Sequence, residues 1–288
     1  MENVVKFENV NKSFNDFQLN DVCFSVKKGY ITGFIGPNGS GKTTTIKLIM
    51  SLLKRNSGDL KVFGEETVAN SKEIKQRIGF VYAENHFYNH LSVKQMKRLV
   101  SSFYDNWDES TFQSYMKYFN LPWKKKIKHL STGMRMKLSL AIALSHDAEL
   151  IIMDEPTSGL DPVFRREILD ILSEIIQDEN KTVFFSTHIT TDLEQIADYI
   201  TFIYNGEIIF DDEKDHILEK YHIIRGAKEL LDDDIRQMFI HLRETSVGFE
   251  ALTDNPQKVR NLMGNDIIME PASLEEIMVY TVRSGQHA

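Results

Sequence analysis

Cysteine is almost missing from this chain: Cys23 is the only one in 288 residues. That excludes an intramolecular disulfide and a cysteine-rich zinc site, and it points to a reducing setting. Within Val22-Cys23-Phe24 the thiol reads as a small buried hydrophobe. Long apolar runs are missing too. None approaches the roughly 18–20 residues that cross a bilayer, so any membrane span is expected from another chain. The start, Met1-Glu2-Asn3, is acidic and has no apolar stretch, so no secretory signal is expected. Positive charge is in deficit, with 34 basic against 42 acidic residues and a net charge of −8. Nucleic-acid binders usually leave the opposite footprint. There is no low-complexity tract and no internal repeat, and fifteen glycines and six prolines argue against disorder.

What is present is an ordinary globular composition, 42% hydrophobic and 26% charged. It suffices for one large domain, or for one domain with a small appendage. Strand-like runs rich in Val, Ile and Phe come first, at Val4 to Val10, Phe17 to Val26 and Tyr30 to Ile35. A glycine-rich turn then opens a helix carrying Ile46, Ile49 and Leu53 on one face. Ile78 to Tyr82 predicts a strand, and Leu91 to His146 is mostly helical, divided at Pro122. Strands return at Leu150 to Met153 and Thr182 to Ser186, flanking a helical Phe164 to Ile176. Asn205-Gly206 sits between two apolar runs and predicts a type I′ hairpin turn. Strand–helix alternation interrupted by a helical block implies a mostly parallel α/β core with an antiparallel portion and a helical subdomain. After Asp212 short mixed patterns, an acidic run at Asp232-Asp233-Asp234 and a last helix from Ser273 predict a small accessory α/β domain.

Gly36-Pro37-Asn38-Gly39-Ser40-Gly41-Lys42-Thr43 follows a predicted strand and opens a helix, which is the full phosphate-binding-loop pattern in its proper context. Glycines let backbone N–H groups close on phosphate oxygens, and the helix N-terminus adds positive potential. Lys42 suits the β- and γ-phosphates, and the Thr43 hydroxyl suits Mg²⁺. Thr44 closes the run of expected nucleotide contacts. A chance lysine in a glycine-rich turn is the bland alternative, and the complete pattern outweighs it. Leu150-Ile151-Ile152-Met153-Asp154-Glu155 is an apolar strand ending in two carboxylates, at the strand end where open α/β sheets bind ligands. Asp154 is read as the acid that holds Mg²⁺ and Glu155 as the base that orients and polarises water.

Leu130-Ser131-Thr132-Gly133-Met134 precedes that strand, Ser158-Gly159-Leu160-Asp161 follows it, and Ser186-Thr187-His188 ends the next. In this order the motifs resemble the ATP-binding cassette family over about Val4 to Asp212. The resemblance implies a P-loop NTPase (RecA-like) core with the antiparallel portion and inserted helical subdomain noted above. The expected cassette spans residues 1–212, with the helical subdomain at about 84–148 and the accessory domain at 213–288. It implies an ATPase that closes head to tail with a second cassette subunit, of the same chain or a paralogue, around two ATP molecules. Ser131 and Gly133 of one chain would then face the nucleotide of the other. Asp161 would lie on the loop that crosses the dimer, and His188 would contact the γ-phosphate. Phe14 stands where the family places an aromatic over adenine, with Phe17 as its rival. Ser131 also makes a good helix N-cap, and His188 also reads as a packed histidine.

Two departures stand out. Thr132 and Met134 replace glycine and glutamine of the usual Leu-Ser-Gly-Gly-Gln signature, and Ala83 falls where the family carries a glutamine, with Glu84 as a neighbouring substitute. The signature, Glu84 and the tail Ser273-Leu274-Glu275-Glu276-Ile277 resemble the motor subunits of bacterial ABC-2-type exporters, such as the bacitracin-resistance and phenol-soluble-modulin types. That implies an integral membrane permease as partner, a peptide or antibiotic as cargo, and a place at the cytoplasmic face of the cell membrane. No nucleic-acid partner is expected. Soluble cassette ATPases, for instance of iron–sulfur assembly, are the alternative. Chromosome-maintenance cassettes usually carry coiled-coil insertions or a second cassette, neither of which is seen. Lys124-Lys125-Lys126-Ile127-Lys128 reads as a solvated face that could approach lipid headgroups, and His86 and His90 as surface histidines.

Overall fold

A computed structural model describes residues 2–82 and 87–284. By contact the chain divides into two compact units. One comprises the residues up to His188 with Thr201–Asp211, the other Ile189–Ile200 with the chain from Asp212 onward.

The first unit begins with β1 (Asn3–Ser13), β2 (Gln18–Lys27), β3 (Ile31–Ile35) and α1 (Lys42–Ile49). Then come β4 (Ser57–Val62), β5 (Glu65–Glu66), α2 (Ser71–Gln76) and β6 (Ile78–Tyr82). The helical block holds α3 (Val93–Ser101), α4 (Glu109–Tyr118) and α5 (Thr132–Ala143), and β7 (Leu150–Asp154), α6 (Pro162–Ile175) and β8 (Thr182–Thr187) complete the alternation. After α7 (Thr190–Ile196), β9 (Tyr199–Tyr204) and β10 (Glu207–Glu213) form the expected hairpin. Its turn residues Asn205 and Gly206 have φ of 47° and 80°, as a type I′ turn requires.

Two sheets build this unit, one ordered β2-β1-β4-β5 and the other β10-β9-β3-β8-β7-β6. The neighbours β3, β8, β7 and β6 run parallel, whereas β1, β2 and β4 pair antiparallel. Every residue of β3, β7 and β8 is buried, which explains why they are legible as continuous apolar runs. Phe24 of β2 stacks on Phe34 of β3 and Phe184 of β8 at 5.5 and 5.9 Å, joining the two sheets in one core. β4, β5 and α2 are not predicted by the sequence pattern. Only Leu60 and Val62 are buried in β4, too few for a clear alternation.

The reading of Cys23 as buried is wrong: the thiol is exposed. β2 alternates, with Val22, Phe24 and Val26 facing the core, so Cys23 takes the outer face. There its sulfur accepts from the Asn9 backbone N–H and donates to Asn9 Oδ1, each at 3.1 Å.

The second unit adds α8 (Lys214–Lys220), β11 (His222–Gly226), α9 (Asp233–Arg236), β12 (His241–Thr245) and β13 (Gly248–Thr253). It ends with α10 (Pro256–Met263), β14 (Ile267–Pro271) and α11 (Leu274–Ser284). The sheet order is β12-β13-β11-β14, antiparallel throughout. From β11 to β14 the chain therefore traces a β-α-β-β-α-β, split βαβ arrangement. Ile224, Phe249, Ala251, Val259 and Met263 form its own small core. α11 lies against α7, and the Leu274 N–H donates to Glu194 Oε1 at 2.8 Å. Among the described residues no helix is long and apolar enough to cross a membrane.

Candidate functional site

The buried strand β3 delivers the chain into the glycine-rich loop, and α1 starts at Lys42. Gly41, at φ 116°, occupies a conformation that side-chain-bearing residues rarely adopt. A Cβ there would sit 2.6 Å from Leu19 and 3.0 Å from the Phe17 ring. Because Gly41 has no side chain to cap α1, the first-turn N–H groups remain available to an anion. Lys42 is only 6% exposed. Its ammonium donates to Gly36 O at 2.7 Å and Pro37 O at 3.2 Å, and lies 3.3 Å from Glu155 Oε1.

The acidic end of β7 faces the start of α1. Asp154 is buried, with 4% exposure, and each of its oxygens has a hydroxyl partner. Thr43 Oγ1 donates to Oδ2 at 3.0 Å, and Ser186 Oγ donates to Oδ1 at 2.6 Å. An oxygen pair formed by a hydroxyl and a carboxylate fits a hard cation such as Mg²⁺, which is usually held by one or two protein oxygens together with phosphate and water.

Glu155 leaves the strand geometry, with φ at 52°. For a residue with a long side chain that conformation costs about 1–3 kcal/mol. It is held by its N–H, which donates to Ser186 O at 3.0 Å and to Ser186 Oγ at 3.3 Å. Its Oε2 is 2.7 Å from His188 Nδ1 and accepts from the His188 backbone N–H at 3.3 Å. Lys42 and His188 thus hold opposite oxygens of one carboxylate.

These groups border a cavity of about 540 Å³ lined by Asn38, Gly39, Gly41, Lys42, Thr43, Thr44, Glu155, Asp16 and Phe17. Gly36 and Ser40 of the same loop are buried, and Ser40 Oγ has no partner among the described residues. Of the two rival aromatics, Phe17 lines the cavity. Phe14 lies beside it, 45% exposed, with its ring centroid 6.5 Å from that of Phe17.

Ser131 and Asp161 do not line the cavity. Both are exposed and both cap helices. Ser131 accepts from Met134 N at 3.2 Å at the head of α5, and Asp161 accepts from Val163 N and Phe164 N at 3.1 and 3.0 Å at the head of α6. Gly133 lies in the first turn of α5, where a Cβ would stand 3.3 Å from Phe164. Ala83, Glu84 and His86 lie outside the described residues. His90 is exposed.

Sequence reasoning did not single out Asp16 or the hydroxyl of Ser186. The available signal for Ser186 is a polar residue closing the apolar run Val183-Phe184-Phe185. Its pairing with Asp154 is set by strand register, which no local pattern encodes.

The ABC transporter family model matches residues 19–158, and an AAA-domain model matches residues 126–191. The bacitracin transport ATP-binding protein BcrA of Bacillus licheniformis is 32% identical over 223 residues, covering 76% of this chain and 73% of that protein. The lantibiotic transport ATP-binding protein SrtF of Streptococcus pyogenes is 34% identical over 215 residues, 74% of this chain and 92% of its own. Among solved structures, the ATP-binding subunit of an ABC transporter superposes with a TM-score of 0.67 at 24% identity, covering 75% of this chain and 92% of that one. The cassette MJ0796, solved as a dimer bound to ADP and Pi, gives 0.65 at 23% identity, covering 73% and 98%. These structures establish the cassette fold, a P-loop NTPase core of mixed α/β type. The phosphate loop, the paired carboxylates at the end of β7 and the relatives agree, and the chain belongs to the ABC transporter family as one of its ATP-binding chains, an ATPase.

Proposed function

We propose that this chain is the motor subunit of a bacterial exporter of peptides or peptide antibiotics, working in pairs at the cytoplasmic face of the membrane beneath a separate permease. The observation that carries the ATP-driven part of this reading is the Glu155 carboxylate, held between Lys42 and His188 at the mouth of a phosphate-binding loop. With ATP in the cavity, the loop N–H groups and Lys42 bind its phosphates. Thr43 and Asp154 would hold Mg²⁺, which would supply neutralisation of phosphate charge. Glu155 takes a proton from the attacking water, and the oxygen so activated displaces ADP from the γ-phosphorus. His188 keeps the Glu155 carboxylate aimed. Ser131 and Gly133, exposed at the head of α5, face the nucleotide of a second cassette, and Asp161 meets that partner across the interface. Phe17, with Phe14 beside it, supports the base and ribose.

The exporter reading is supported by the names of the relatives, which concern bacitracin and lantibiotic transport. A groove of about 350 Å³ lined by Leu52, Phe80, Tyr82, Phe87 and Ile142 suits an apolar helix end of the permease. The accessory unit supports the assembly. The test is to tag the chain in its host, solubilise membranes in mild detergent and identify stoichiometric partners. A polytopic membrane protein supports the motor reading. A soluble partner alone, with the chain absent from membranes, overturns it in favour of a soluble scaffold ATPase.

A further inference from the structure

Ser186 is fully buried at the end of β8, directly opposite Asp154 in the parallel β7–β8 pair. Its hydroxyl has one proton to donate and two lone pairs with which to accept. The proton goes to Asp154 Oδ1 at 2.6 Å, and Ser186 Oγ itself accepts from the Glu155 N–H at 3.3 Å. The Ser186 carbonyl takes the Glu155 N–H as well, at 3.0 Å. One residue therefore holds the side chain of the first acid and the backbone of the second.

The consequences follow from geometry. The terminal torsion of an aspartate is soft, with no sharp staggered minimum. Two hydroxyls, one on each oxygen, fix the carboxylate plane so that Oδ2 stays on Thr43. Without the Ser186 hydroxyl, Oδ1 is a buried anionic oxygen lacking that donor, which is unfavourable, and the carboxylate turns away from Thr43 to seek another. The strand's packing does not call for a hydroxyl at this position. Val183, Phe184 and Phe185 fill the rest of the run, and an apolar side chain of the same volume would pack as well.

We propose that Ser186 is a positioning residue for ATP hydrolysis, its hydroxyl locking the Asp154 carboxylate toward Thr43 and adding a second contact to the turned Glu155 backbone. This rests on the roles proposed above for Asp154 and Glu155.

The experiment compares Ser186→Ala, and the isosteric pair Ser186→Thr and Ser186→Val, with the unaltered chain. It measures kcat, KM for ATP, the Mg²⁺ concentration at half-maximal rate, and the melting shift given by ATP in EDTA and then with Mg²⁺. Removing an outer-shell partner typically lowers metal affinity or activity about 10–100-fold. Ser186→Ala and Ser186→Val are expected to lose that factor in kcat and in Mg²⁺ half-saturation. They should keep KM for ATP and the EDTA melting shift, and lose the increment that Mg²⁺ adds. Ser186→Thr, which retains the hydroxyl, should recover most of the loss. In an Asp154→Asn background Ser186→Ala should add little, because coupled residues are not additive. Valine and threonine variants that behave alike, an alanine variant with wild-type Mg²⁺ dependence, or full additivity with Asp154→Asn would overturn the proposal. If the unaltered chain showed neither turnover nor Mg²⁺-dependent stabilisation, the roles of Asp154 and Glu155 would fall first and this one with them. An active chain with indifferent Ser186 variants sinks only the positioning role.

Discussion

Glu155 and Lys42 lie more than a hundred positions apart in sequence and 3.3 Å apart in space, and each has a separable task. The lysine ammonium is nearly buried and already bound to loop carbonyls, which suits it to the phosphate-binding role proposed for it. Charge-assisted hydrogen bonds contribute about 1.5–3 kcal/mol, so Lys42→Ala should weaken ATP binding by about ten- to a hundred-fold and abolish most of the ATP-induced rise in melting temperature. Unchanged affinity in a titration would refute its role. Glu155→Gln keeps the shape and the contact with His188 but removes the proposed base. Its turnover should fall by about 10²–10⁴ while ATP binding persists and the closed pair accumulates, seen as an ATP-dependent dimer by size exclusion. Near-normal kcat would exclude Glu155 as the proton acceptor.

At the scale of elements, the contact between β6 and α5 leaves no room for a side chain. Gly79 of β6 lies so close to the end of α5 that a Cβ would fall 2.6 Å from Ala143 O. Gly79→Ala should therefore destabilise the cassette by about 1–3 kcal/mol, measured as a lower urea midpoint at constant slope. Just beyond α5, His146 is buried with Nδ1 3.2 Å from Ile142 O and Nε2 3.0 Å from Ile78 O, stacked on Tyr104. Burial outweighs these carbonyls and pushes the imidazole pKa below its ordinary 6.5. The unfolded chain then takes up the proton first, so stability is fully present above pH 6.5 and is lost as pH falls through the depressed folded value. The slope cannot exceed about 1.4 kcal/mol per pH unit for one proton. His146→Gln should flatten stability between pH 7 and 5.5, and an unaltered slope would assign it to other groups.

For the whole molecule, the two compact units differ in how their cores are made. The cassette core runs through two sheets and an aromatic stack, whereas the second unit depends on a few side chains around its four-stranded sheet and on α11 against α7. Leu274 and Leu193 are both fully buried there. Leu274→Asp places an unpaired charge in that core, a change costly enough to open it locally. Hydrogen exchange should speed up across Thr190–Ile196 and Leu274–Ser284, while ATP still protects the loop before α1. Unchanged exchange in α7 would show that α11 does not secure it.

The sequence alone determined the features whose chemistry is local. Gly36 to Thr43 spell the phosphate loop because three closely spaced glycines and a helix start are enough to form it. Leu150 to Glu155 spell an apolar strand with acids at its tip because strands buried on both faces need unbroken apolar runs. The Asn205-Gly206 turn is legible for the same reason, since two positive φ values select those residues. Tertiary structure decided what depends on register and facing. Cys23 faces outward because β2 pairs with β1 in one phase and not the other. Ser186 meets Asp154, and Thr43 reaches it from 111 positions away, because helices pack β3, β8 and β7 side by side. The split βαβ order of the second unit and the docking of α7 there likewise come from long-range packing. Such contacts join residues that are strangers in sequence, and their strength appears only once the intervening chain has folded.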